Sequence, residues 1–272
     1  MEYEIKPKEK LSLGLDELWQ YRELFYFFTW RDVKVKYKQT VLGFAWAVLQ
    51  PLFMALIFTL FLGDVISSKV ELPLPYPVFV LSGMILWNVF SNGLSNAANS
   101  MVNNANIIKK IYFPRLIIPM SSILVALFDF IMAFVVFVPF LFFYDSFFQL
   151  KAFLFIPLAL LITILASFGI GTFLSALNIK YRDFRYVVPF LIQALLFITP
   201  VIYPGNITSN VIIKWIVKVN PMTSAIEAFR ASFIKNYTLS SDFYISLSVA
   251  FVLFFVGLYY FRKTEHYFAD LA

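Results

Sequence analysis

Long uncharged apolar runs separated by short charged turns set the frame of this chain. The first run opens at Val41 and continues to Leu62, directly behind a basic collar of Arg31, Lys34, Lys36 and Lys38. A second begins near Tyr76, after Pro73, Pro75 and Pro77, because proline disfavours helix in the residue before it. A third runs from Leu116 to about Tyr144, with Asp129 near its middle, and a fourth from Phe153 to about Leu177. The fifth, about Tyr186 to Tyr203, contains Pro189 and Pro200, and the sixth spans Phe243 to Phe261. A hydrocarbon core of about 30 Å needs roughly 20 helical residues at about 1.5 Å each. The pattern therefore predicts an all-α polytopic membrane protein with six transmembrane helices.

Two stretches are amphipathic or too short to span. Between Leu15 and Tyr37, Leu15, Leu18, Trp19, Phe25, Phe28 and Tyr37 alternate with Glu17, Arg22, Glu23, Arg31 and Lys38. This predicts an N-terminal interfacial amphipathic helix, its apolar side in the lipid boundary. A soluble helix packed on another domain is the alternative. Between Pro204 and Asp242, the pieces Val211 to Val219 and Met222 to Ile234 are separated by Asn220-Pro221. They fit a re-entrant or outer gate pair between spans five and six, or a small outer cap. Glu227 and Arg230, three apart, are placed to pair on one helical face.

Charge orients these spans. Sixteen of the 22 Lys and Arg fall on the side of the collar, in the N-terminal segment, the loop near Lys109, the turn near Arg182 and the tail. The other six are Lys69, Lys151, Lys214, Lys218, Arg230 and Lys235. Basic residues are retained on the cytoplasmic side, so both termini are expected there. The net charge of +6 sits beside apolar spans, which points to anionic lipids and not to nucleic acid. Residues 1–40 hold both acids and bases, with no short apolar core and cleavage site, which argues against a signal peptide.

Composition narrows the chemistry. Hydrophobic residues make up 61% and charged residues 14%, with mean hydropathy +0.79, far from the balance of soluble domains. One His and no Cys remove zinc sites, thiol chemistry and disulfides. No phosphate-binding GxxxxGK[ST] loop, dinucleotide fingerprint, HExxH or paired carboxylates occur, so no catalytic or metal residue is assigned. The chain is expected to be a non-catalytic transport subunit whose energy comes from a partner.

Three polar features stand out. Asn88, Asn92, Asn96, Asn99, Asn103 and Asn106 recur at helical spacing, which places the amides on one face. From Asn96 onward the wet face of a helix leaving the bilayer is favoured. For Asn88 and Asn92, a hydrated route and a merely wet face fit equally. Asp129 is costly in a span unless it has a partner. The spans offer no Lys, Arg or His, so a bond to a neighbouring Ser, Thr or Asn is expected. Finally, the loop from Asn106 to Arg115 carries Ile107, Ile108, Ile111, Tyr112 and Phe113 beside Lys109, Lys110 and Arg115. Its apolar side chains need a protein groove or a headgroup layer to cover them.

Four segments taken together resemble the permeases of ABC-2 polysaccharide and polyol-phosphate exporters. They are Arg31-Asp32 through Gln39-Thr40-Val41-Leu42-Gly43 to Trp46 and Gln50-Pro51; Asn106 to Arg115; Tyr181-Arg182-Asp183-Phe184-Arg185 with Thr199 to Pro204; and Asn220-Pro221-Met222 with Phe229-Arg230. The resemblance implies one transmembrane domain over 1–272, with a cytoplasmic or interfacial segment 1–40, a six-span region 41–262 and a cytoplasmic tail 263–272. It implies a homodimer in the cell inner membrane, with two cytoplasmic ABC ATPases that hold ATP and Mg²⁺. No cofactor is expected on this chain. The cargo implied is an undecaprenyl-linked polysaccharide, O-antigen first, with teichoic acid or capsule as alternatives; a drug or lipid permease and a membrane enzyme are lesser ones. In that frame the loop from Asn106 to Arg115 would couple to the ATPase. Aromatic faces stack on sugar rings, so Phe53, Phe58, Phe61, Phe90, Phe197 and Tyr203 are path candidates, although lipid-facing aromatics fit them equally. Asn88 and Asn92 join them, as does Arg31, whose forked guanidinium suits a lipid-linked phosphate.

Overall fold

A computed structural model describes residues 15–38, 40, 42–181, 183–205, 210–265 and 268. Gln39, Val41 and Arg182 of the motifs above, and most of the tail, lie outside these. The described residues form α1 (Leu15–Gln20), α2 (Arg22–Lys38), α3 (Ala45–Ser67), α4 (Tyr76–Asn103), α5 (Ala105–Ile108), α6 (Ile117–Phe143), α7 (Ala152–Lys180), α8 (Phe184–Ile198), α9 (Val211–Val219), α10 (Pro221–Ala231) and α11 (Ser241–Thr264). Five of them, α3, α4, α6, α7 and α11, are long and apolar enough to cross a membrane.

The predicted fifth crossing is shorter than expected. Thr199 precedes Pro200 and adopts extended angles, φ −80° and ψ 138°, so α8 stops at Ile198 with 15 residues. At about 1.5 Å per residue it covers about 22 Å. Pro200, expected inside a span, is its terminator. Local chemistry sets other ends. Pro77 sits in the first turn of α4, where the missing N–H costs nothing. Asn220 caps α10 by accepting from Met222 N at 3.0 Å, with Pro221 as the first helical residue. Gly43, at φ +51°, makes the left-handed turn between α2 and α3.

Packing ranks the helices. In α4, 78% of the most apolar stretch is buried, against 11% in α3. So α4 is the central post, held by α6 on one side and α7 on the other. Small residues let α7 meet α4 and α11. A Cβ on Gly171 would lie 2.7 Å from Ala97 Cβ, and one on Gly257 would run into the Gly169 backbone. Without water, close van der Waals packing is what holds such helices. Gly257→Leu is expected to separate α7 from α11, lowering the yield of monodisperse permease severalfold on size exclusion.

A second apolar core lies at the collar end. It joins Phe28 of α2, Met101 of α4, Ile108 and Phe113 of the loop, Ile179 of α7, and Phe261 and Phe268 of the C-terminal end. This corrects the expectation for the N-terminal helix. Phe28 and Tyr37, expected in lipid, are 1% and 7% exposed and turn inward, while Trp19, Tyr26, Phe27, Trp30 and Val35 face outward. Two helices replace the single one expected, though Phe25 N still donates to Tyr21 O at 3.1 Å across the joint.

A polar seam between the collar helix and the central post

The collar helix α2 lies across α6, burying Val33 and Tyr37 against Val125 and Phe128. That places Lys36 and Tyr37 over Asp129. Lys36 Nζ and Tyr37 Oη both donate to the Asp129 carboxylate, one to each oxygen. The Asp129 side chain is 6% exposed and that of Lys36 35%. Burial, and then the bond to Asp129, push the Tyr37 phenol above its ordinary range, so Tyr37 stays the donor. The expected Ser, Thr or Asn partner is thus replaced by a lysine and a tyrosine from outside the spans.

Two cavities meet at Lys36 and Asn92. One is a pocket of about 50 Å³ among Trp46, Gln50, Asn88, Asn92, Lys36 and Asp129. The other is an open groove of about 670 Å³ with Asn92, Asn96, Asn103 and Asn106 on one side and Arg31, Asp32 and Lys36 on the other. Together they make a seam of amides and charges running from the loop end of α4 toward its middle. Asn99 leaves the row. Its Oδ1 accepts from Asn178 Nδ2 at 3.0 Å, tying α4 to α7. The helix breaks at Asn104, whose Nδ2 donates back to Ser100 O at 2.9 Å.

Arg31 stands at the mouth of the groove, but its fork is engaged. Nε donates to Asp32 Oδ1 at 2.8 Å, and an Nη donates to Asn104 Oδ1 at 2.9 Å. Its guanidinium also covers the Phe28 ring at 4.7 Å. A phosphate arriving here would have to displace Asp32 or share the remaining donors.

The loop from Asn106 to Arg115 divides in two. Ile108 and Phe113, expected on its exposed face, are buried in the chain's own core, and Phe113 packs on Phe28 at 5.7 Å. Ile111 and Tyr112 remain 51% and 71% exposed, flanked by exposed Lys109 and Lys110. Asn106 is exposed and Ile107 and Arg115 are half-buried. A protruding apolar pair with a basic rim is the shape of a knob.

At the opposite end, α10 turns Arg230 inward. Its guanidinium donates to Pro200 O at 2.9 Å, Phe79 O at 2.9 Å and Val201 O at 2.8 Å. It lies 3.4 Å from the centre of the Phe79 ring. Gly83 makes room, since a Cβ there would stand 2.9 Å from the guanidinium. The expected Glu227–Arg230 pair is absent among the described contacts. Glu227 instead accepts from Tyr237 Oη at 3.1 Å and from Ser240 N and Oγ. Burial, and then Glu227, push the Tyr237 phenol up, so it remains the donor.

Neither cavity of the seam is lined by any of the aromatic path candidates. Phe53 borders an apolar groove with Leu49, Leu52 and Phe140. Phe61 and Phe197 are exposed, Phe58 is half-buried, and Tyr203 donates to Phe197 O at the end of α8. Phe90 is 1% exposed and packs on Trp87, which makes it a core residue and not a lining one. From the sequence, Tyr37, Trp46 and Gln50 carry no functional role, and Lys36 is a collar base for membrane anchoring or for a lipid-linked phosphate, not a partner of Asp129. An acid alone in a span was the signal that a donor had to exist.

Comparison with known proteins agrees with this architecture. Residues 23–234 match the family model described as ABC-2 type transporter. The chain is 32% identical to an O-antigen export system permease protein RfbA of Klebsiella pneumoniae, covering 92% of this chain and 95% of that one. The RfbA permease of Myxococcus xanthus is 25% identical over 93% and 97%. The polysialic acid transport protein KpsM of Escherichia coli is 23% identical over 86% and 91%. By the match over residues 23–234 and the identity to RfbA over most of both chains, this chain belongs to the ABC-2 type transporter family.

Proposed function

We propose that the chain is the permease of an ATP-driven exporter that carries undecaprenyl-linked polysaccharide, O-antigen above all, outward across the inner membrane. The observation that carries this reading is the polar seam between α2, α4 and α6, in a chain similar end to end to O-antigen export permeases. Amides accept and donate at once, so they can exchange with sugar hydroxyls without holding any one tightly. The higher identity to the RfbA permeases than to KpsM favours O-antigen over polysialic acid.

In this reading α8 and the turn after it complete a fifth crossing of six, and both termini face the cytoplasm. α1 and α2 lie in the interface, where Trp19, Tyr26 and Trp30 meet anionic headgroups beside Arg22 and Lys34. The pair α9 and α10 closes the outer end. Two copies pack around the sparsely covered α3, with Phe53, Phe58, Phe61 and Phe197 facing the sugar chain, and Arg31 and Lys36 receiving its lipid phosphate. Deleting the gene should leave lipid-linked polysaccharide accumulating inside and missing from the surface. Normal surface polysaccharide would sink the assignment.

The knob formed by Ile111 and Tyr112 seats in a groove on each of two ATPase subunits, with Lys109, Lys110 and Arg115 steering the encounter. Tyr112→Asp places a charge at that contact without touching the core. It should cut co-purification of the ATPase and export together, by about tenfold or more, with permease yield unchanged. Phe113→Asp should instead lose the permease itself, because Phe113 is 3% exposed. ATPase retained at wild-type level by Tyr112→Asp would end the docking claim.

A further inference from the structure

The C-terminal end of α11 reaches back to the loop that precedes α6, and one carboxylate makes the join. Arg115 N donates to Glu265 Oε1 at 3.2 Å, and the Arg115 guanidinium donates to the Glu265 carbonyl. The other carboxylate oxygen accepts from Arg262 Nη1 at 2.8 Å. The Arg262 and Glu265 side chains are only 11% and 16% exposed, so water screens these bonds little. Phe268 adds an apolar clasp. It is fully buried, packs edge-on against Phe261 at 5.1 Å, and lies under the Arg115 guanidinium at 5.9 Å. Phe268 shares its core with Ile108 and Phe113, the two buried residues of the same loop.

Position gives the join its meaning. Arg115 closes the loop and α6 starts two residues later, capped by no side chain of its own at Leu116. Glu265 accepts from Arg115 N, one residue before the cap position Leu116, so its charge lies at the positive end of α6, which favours an anion. Loop, α6 start and α11 end are therefore fastened at one point, while Ile111 and Tyr112 project from the fastened base.

We infer that Glu265 is a positioning residue for energy coupling: it braces the docking loop against the last span, so that a push on Tyr112 moves α6 and α11 and not the loop alone. The inference rests on the loop being the ATPase contact. The acidic brace works through geometry and touches neither cargo nor nucleotide.

The chain has no cysteine, so Ile111→Cys offers a single site for a spin label in the full-length permease in nanodiscs. Glu265→Ala should raise label mobility at residue 111 with permease yield at the parent value, and should lower the melting temperature because it strips a buried charged partner from Arg262. Glu265→Gln keeps an acceptor for Arg115 N–H and should restore most of the rigidity. In the complex with the co-expressed ATPase, Glu265→Ala should lower export per ATP hydrolysed by about tenfold, the scale of one lost charged hydrogen bond. Unchanged mobility and coupling in Glu265→Ala would overturn the brace, as would a loss not rescued by Gln. Tyr112→Asp separates the two claims. If it spares ATPase binding, the docking reading fails; if it abolishes binding while Glu265→Ala changes nothing, only the brace fails.

Discussion

Replacing Arg230 by Met is expected to collapse the end of the permease built by α10 and the turn after α8, and to lower export more than tenfold. The substitution keeps length and apolar volume but removes a donor from three buried carbonyls; Phe79 O keeps Ser82 Oγ, whereas Pro200 O and Val201 O lose the guanidinium that satisfies them. An unsatisfied buried acceptor costs roughly 1–3 kcal/mol, so the loss is about 2 kcal/mol or more. Two of those carbonyls follow α8 directly, where the helix ends short, so Arg230 completes by side chain what the broken backbone leaves open. Arg230→Lys should recover only part of this, since one ammonium cannot reproduce the fork. The check is the melting temperature of purified permease alongside surface polysaccharide. Wild-type values for Arg230→Met would refute the anchoring role.

Reversing the charge of Lys36 should have the second largest effect. Lys36→Glu sets a carboxylate against Asp129, which is 5% exposed and already placed by Tyr37. Fully buried pairs cost about 3–5 kcal/mol when broken. Because the Lys36 side chain is 35% exposed, about 2 kcal/mol is the more realistic scale here. The collar helix should then lift from α6, opening the seam. Exchanging both residues, Lys36→Asp with Asp129→Lys, should restore part of the stability, whereas Asp129→Asn should be milder because Tyr37 keeps a partner. A double-mutant cycle on melting temperature and export measures this coupling. Additive losses with no recovery in the exchange would rule the pair out.

Both sites show where sequence reasoning holds and where it stops. The start of α4 at Tyr76 and the break at Asn220-Pro221 are legible because proline acts on neighbouring residues, whereas the cap at Ser240 starts α11 two residues before the predicted Phe243. The amide row is legible from spacing alone except at Asn99, which a distant Asn178 claims. Pro200 falls inside the predicted fifth span, yet it holds Thr199 in the extended angles that end α8, and Arg230 then takes up its carbonyl. Lys36 and Asp129 stand 93 residues apart. Nothing local says that a collar lysine turns into the membrane to meet an acid, since charge beside a span reads as headgroup anchoring. The same limit explains Phe28, Phe113 and Ile108: apolar residues on a polar segment look lipid-facing or partner-facing until a second core is built beneath them. Phe90 followed the opposite course, a path candidate by type that the central helix buries.

The most direct measurement reconstitutes the permease with its ATPase in nanodiscs and follows ATP hydrolysis as cargo is added. Lipid-linked oligosaccharide is compared with bare undecaprenyl phosphate and with common drug substrates. Polysaccharide export through the polar seam predicts strong stimulation by the glycan-bearing lipid, little by the bare phosphate and none by drugs, with the response lost in Lys36→Glu. Stimulation by drugs alone, with the lipid-linked oligosaccharide inert, would contradict it.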